Sequence, residues 1–214
     1  MSKIYFLGGL GLDNSIINDI SLRDNKLVFI DWEKPAQKET LTSYSSKIIS
    51  KYNIDIDSTL IGVSFGGFIA LEISKVIPVR KVILVSSFLN INELPFIFRT
   101  AIRLRLYHLF PPFILKLLPF VLNYFFSISN PPNASILKQV IERTDSTLLN
   151  WAIKNILRFL PADQSIKIVR IHGDLDRIIP INKRIVDYVV PNGGHFMIYD
   201  KKKEVTSLLD TAVR

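Results

Sequence analysis

The sequence predicts a doubly wound α/β fold. Three observations carry that prediction: six short apolar runs bounded by turn residues, helical spacing between them, and one long stretch without a strand signal. The runs are Ile4 to Leu7, Leu27 to Ile30, Thr59 to Val63, Val82 to Val85, Ile166 to Ile171 and Ile185 to Val190. They are nearly continuous in hydrophobicity instead of alternating, as expected of parallel strands covered by helices on both faces. Between them, Tyr44 to Tyr52 and Gly67 to Ile77 have helical spacing, and Glu204 to Val213 turns Val205, Leu208 and Leu209 to one side. The resulting βαβα order implies a mostly parallel sheet of about six strands with helices on both sides.

Residues 88–160 follow the fourth of these strands and are far too many for a loop. Prolines at 95, 111, 112, 119, 131, 132 and 161 cut the stretch into short helices. A helical insertion within a single domain spanning 1–214 is therefore expected. Leu109 to Phe126 is very apolar, but Pro111, Pro112, Lys116, Pro119 and Asn123 make it a poor membrane span. Phe96 to Leu109 interleaves Arg99, Arg103, Arg105 and His108 with apolar residues. That pattern gives two readings: a peripheral contact with a membrane surface, or a helix whose apolar face covers a cleft, which is the preferred one.

Hydrophobic residues make up 48% of the 214-residue chain and charged residues 21%, so a packed core is expected. The formal charge is +8, yet the basic residues are scattered apart from Lys201 to Lys203, and no nucleic-acid partner is expected. The chain has no cysteine. Disulfides, thiolate metal sites and a cysteine nucleophile are thereby excluded, leaving oxygen or amine nucleophiles. The N-terminal run stops at Gly8-Gly9 without the apolar region or cleavage site of a signal peptide, so a cytoplasmic location is the default expectation.

The chemistry concentrates in three loops. Gly62-Val63-Ser64-Phe65-Gly66 lies between a predicted strand and a predicted helix, the setting in which a G-x-S-x-G turn exposes a nucleophilic serine. Its glycines remove side chains where strand and helix approach closely. Pro191-Asn192-Gly193-Gly194-His195-Phe196 follows the last strand and offers His195 as a base. His172-Gly173-Asp174-Leu175-Asp176 follows the fifth strand and offers two carboxylates, Asp174 and Asp176; spacing alone leaves both open.

The elbow, the H-G-x-x-D-x-x-x-P loop from His172 to Pro180 and the late G-G-H together resemble the α/β-hydrolase superfamily, small bacterial-type serine hydrolases in particular, from end to end of the chain. The resemblance implies a minimal α/β-hydrolase fold lacking the usual first hairpin, with the insertion as a lid. It also implies Ser64 as nucleophile, His195 as base and Asp176 as the acid of the triad, with His172 structural and Asp174 variable. Leu7-Gly8-Gly9-Leu10-Gly11 resembles the family's oxyanion loop, with Gly8 where histidine is common. The amides of Leu10 and Phe65 would then stabilise the oxyanion. No metal or cofactor is expected, since the glycines do not fit a phosphate-binding loop.

Apolar residues crowd the insertion, Phe98, Phe120, Phe125 and Phe126 among them, and suggest an apolar acyl pocket in which Phe96, Phe110 and Phe113 are candidate substrate contacts. An esterase or thioesterase acting on an apolar acyl substrate is the expected activity. Two alternatives keep the fold: a non-hydrolytic binder of small molecules or membrane surfaces, and a cofactor-free C–C hydrolase or perhydrolase.

Overall fold

The computed structural model describes residues 3–20, 22, 27–104, 119–128, 130–156, 159, 166–182 and 185–214. The apolar runs form β1 (Ile4–Leu7), β2 (Leu27–Ile30), β3 (Thr59–Val63), β4 (Lys81–Val85), β5 (Ile168–Gly173) and β6 (Tyr188–Val190). They pair in the order β2-β1-β3-β4-β5-β6, and every pairing is parallel.

Their unbroken hydrophobicity has a direct cause. Successive side chains point to opposite faces, and here each face has its own core. Tyr5, Leu7, Leu60, Val82 and Leu84 pack on one side with Phe68, Ile69 and Trp151. Ile4, Phe6, Ile61, Val63, Ile83 and Val85 pack on the other with Val205 and Leu209. The first side is covered by α1 (Leu41–Tyr52) and α2 (Phe65–Val76), the second by the C-terminal helix Lys202–Val213.

Strand order reverses between β1 and β3, so the ends of these two strands form the crevice where α/β sheets hold their ligands. Gly9 follows β1 and Ser64 follows β3 at that crevice; a Cβ on Gly9 would lie 3.5 Å from that of Ser64.

Element boundaries differ from the sequence reading in three informative places. β4 begins one residue early, at Lys81, which is buried; its ammonium donates to the Ala212 carbonyl at 2.5 Å near the end of the last helix. β5 runs on through His172 and Gly173. β6 begins at Tyr188, not Ile185, because the Asp187 carboxylate accepts the Arg170 N–H at 2.7 Å where a strand carbonyl would otherwise do so.

Between β4 and β5, the described residues contain helices α3 (Phe96–Arg103), Pro119–Phe126, Pro131–Arg143 and Ser146–Ile156, and no strand. Trp151 anchors the last of these, with its ring 4.6 Å from that of Tyr44 and its indole N–H on the Glu39 carbonyl at 2.7 Å.

Candidate active site

Ser64 joins β3 to α2 with φ 51° and ψ −116°, a conformation that a residue with a Cβ adopts only under constraint. The constraint is visible in its neighbours. A Cβ on Gly62 would lie 2.3 Å from the Gly67 Cα, and one on Gly66 would lie 2.0 Å from the Leu7 carbonyl oxygen. Only glycine lets the strand, the turn and the helix come this close. Three hydrogen bonds fix the Ser64 backbone: its N–H donates to Val85 O at 2.9 Å, and its carbonyl accepts from Gly67 N at 3.0 Å and Ser87 Oγ at 2.9 Å.

The Ser64 Oγ lies 2.9 Å from Nε2 of His195. His195 is buried on the loop after β6, where Gly173 and Gly193 pack so closely that a Cβ on Gly173 would fall 2.1 Å from the Gly193 carbonyl oxygen. Its Nδ1 lies 2.8 Å from Oδ2 of Asp176. The other oxygen of Asp176 accepts from Ile178 N at 3.0 Å and Ile179 N at 2.8 Å. Because a carboxylate only accepts, Nδ1 of His195 carries the proton and Nε2 is left to accept from the serine.

Of the two carboxylates left open by the sequence, Asp176 is the one bonded to His195. Asp174 is half-buried, and its backbone N–H points to Val190 O at 3.3 Å. Burial pushes the Asp176 carboxyl up, but the charge and hydrogen bonds of His195 and His172 outweigh it and hold the group well below the usual carboxylate range. Asp176 is thus ionised throughout the ordinary pH range.

Phe65 opens α2, so its N–H has no acceptor within the helix and sits at the positive end of the dipole. Leu10 stands across the crevice on the loop after β1, which is braced by the Trp32 indole N–H on Gly9 O at 3.3 Å. The Trp32 ring in turn lies 5.3 Å from that of Phe65, linking the two loops.

An apolar cavity of about 270 Å³ opens onto Ser64 and His195, walled by Leu10, Leu122, Phe126, Val140, Leu149 and Ile178. Leu122 and Phe126 come from the helix Pro119–Phe126, and the Phe126 ring meets the His195 imidazole edge-on at 5.5 Å. A larger open groove along α1 contains none of these residues.

The structure therefore brings Ser64, His195, Asp176, Leu10 and Phe65 together. It does not bring Phe96 to them: that side chain is exposed on α3 and is absent from the cavity wall. Phe110 and Phe113 lie outside the described residues. Phe126, one of the insertion aromatics, does line the cavity, while two contributors, His172 and Ser87, were not read from the sequence as parts of the site. His172 places Nε2 3.2 Å from Asp176 Oδ2 and 2.8 Å from Ile179 O, and its spacing four residues before the aspartate was the available signal. Ser87 had no such signal, since its hydrogen bond to the Ser64 carbonyl comes from tertiary contact alone.

No family profile matches the sequence, and no curated protein matches it at a significant level. Solved structures do match in shape. An esterase from Thermogutta terrifontis superposes with a TM-score of 0.74 at 15% identity, over 100% of this chain and 90% of that one. An esterase from Exiguobacterium antarcticum gives 0.69 at 18%, over 100% and 92%. A bromoperoxidase from Bacillus anthracis gives 0.66 at 14%, over 98% and 91%. With the parallel six-stranded order and near end-to-end overlap, this chain has the α/β-hydrolase fold.

Proposed function

We propose that the protein is a serine hydrolase acting on carboxylic esters or thioesters with an apolar acyl group. The observation that carries this reading is the unbroken chain of hydrogen bonds from Ser64 Oγ through His195 to Asp176, mounted on a strained elbow that faces an apolar cavity. Esterases among the structures of similar shape support it.

In the proposed reaction, His195 Nε2 takes the proton as Ser64 Oγ attacks the acyl carbon. Asp176 holds the imidazole in the required tautomer and stabilises the imidazolium. The amides of Leu10 and Phe65 receive the oxyanion, and His195 then protonates the leaving oxygen or sulfur. Water enters by the same base, attacks the acyl-serine and releases the acid.

The cavity is at the small end of ligand pockets, which run from roughly 300 to 1,000 Å³, so short acyl chains fit it better than long ones. The helices of 88–160 act as the lid in this reading, because Leu122, Phe126, Val140 and Leu149 all come from them. A fluorophosphonate probe together with p-nitrophenyl esters of graded length tests the proposal. Labelling of the wild type but not of Ser64→Ala, with butyrate turned over faster than palmitate, is expected. An unlabelled wild type with no turnover at any length overturns it.

A further inference from the structure

Two helices of 88–160 carry apolar side chains that join neither core. α3 and Pro119–Phe126 pack through the rings of Phe98 and Phe125, 5.8 Å apart. On α3, Phe96 is 73% exposed and Ile97 71%, and Leu104 just beyond its end is 63% exposed; on the second helix Phe120 is 83% exposed and Tyr124 53%. Phe120 and Tyr124, four residues apart, share the outer side of that helix. Leu122 and Phe126, also four apart, share the side that walls the Ser64 cavity. One short helix thus has the cavity behind it and an exposed aromatic face in front, and exposed apolar faces of this kind mark interaction surfaces.

The described charged side chains on the two helices of this face are cationic. Arg99 and Arg103 lie on α3, and the sequence from Leu94 to Ile141 contains no aspartate or glutamate. The carboxylate just before this span, Glu93, is bonded to Arg170 at 2.5 Å, and the one just after, Glu142, lies 3.9 Å from Lys138. Arg177 adds a further cation, stacked 4.2 Å from the Tyr124 ring. Apolar tips flanked by these arginines fit the headgroup layer of an anionic bilayer, where aromatic and aliphatic side chains enter the acyl boundary and arginines meet lipid phosphates. A second copy would present the same positive rim and be repelled. No helix among the described residues is long and apolar enough to cross a membrane, so the contact is with the surface.

We propose that the outer face of α3 and Pro119–Phe126 docks the protein on an anionic lipid surface, with the Ser64 cavity directly behind it. The docking does not depend on the hydrolase reading. The test is co-sedimentation with phosphatidylglycerol or phosphatidylcholine vesicles, using the wild type, Ile97→Glu/Phe120→Glu and Arg103→Gln. All the substituted side chains are exposed, and far-UV circular dichroism checks that the variants fold. Retention on phosphatidylglycerol alone is expected. It should fall about tenfold or more in the double variant, and about fivefold in Arg103→Gln.

Three results would overturn the proposal: no retention of the wild type, equal retention on phosphatidylcholine, or a wild-type dimer that the double variant dissolves, since a second copy would then cover the face. Retention by vesicles together with failure of fluorophosphonate labelling would count against the hydrolase reading and leave the docking standing.

Discussion

Asp176 has both carboxylate oxygens fully engaged. Oδ1 takes two backbone N–H groups, and Oδ2 faces two imidazoles, His195 at 2.8 Å and His172 at 3.2 Å. An amide at this position would present an NH₂ group or a weaker acceptor to His195 and lose control of the tautomer. Asp176→Asn should therefore lower kcat/KM for a p-nitrophenyl ester by about four orders of magnitude. Asp174→Asn, two residues away and unbonded to His195, should change it by no more than a few fold. Equal losses in the two variants would remove Asp176 from its proposed role. His172 belongs to the same argument as a positioning residue, because its Nε2–H is shared between the Asp176 carboxylate and the Ile179 carbonyl and so fixes the loop that carries the acid.

At the scale of elements, the elbow is held by backbone packed on backbone. A methyl group on Gly66 would penetrate the Leu7 carbonyl, and main chain of a central strand cannot step aside as a flexible side chain can. Gly66→Ala should lower the unfolding free energy by about 3 kcal/mol, read as a fall in the urea midpoint, and should abolish labelling of Ser64 because the turn must open. Unchanged stability and labelling would show that the turn has slack. The same elbow explains what was legible in the sequence. Ser64, Gly62 and Gly66 are adjacent, and their meaning is local, so the pattern with its flanking strand and helix sufficed to locate them. The strands were legible because two cores demand apolar residues at consecutive positions. The start of β6 was not, because a side chain, Asp187, stands in for a ladder partner of Arg170. The cavity wall was legible only as an excess of apolar residues in the insertion, Phe126 among them. Leu122 and Phe126 reach Ser64 only through the packing of short helices between prolines, and nothing in their spacing separates them from Phe96, which faces outward.

For the whole molecule, the depressed pKa of Asp176 ties folding to pH with a definite sign. A carboxyl held below its unfolded value leaves the native state with fewer bound protons than the unfolded chain in the interval between the two values. Stability then rises with pH across that interval. The contribution is complete above the unfolded value of about 4, and it is lost as pH falls toward the folded one. Half-buried carboxylates with lowered values, such as Asp13, Asp55 and Asp145, act in the same direction, but salt screens them more than it does the buried Asp176. In high salt, the wild type should lose unfolding free energy between pH 4 and pH 3 more steeply than Asp176→Asn, by about 1 kcal/mol over that unit. Urea titrations at the two pH values measure both slopes. Parallel slopes would mean that Asp176 titrates alike in the folded and unfolded chains. The two imidazoles at its Oδ2 would then not be stabilising its charge, and the orienting role proposed for Asp176 would fail along with the pH dependence.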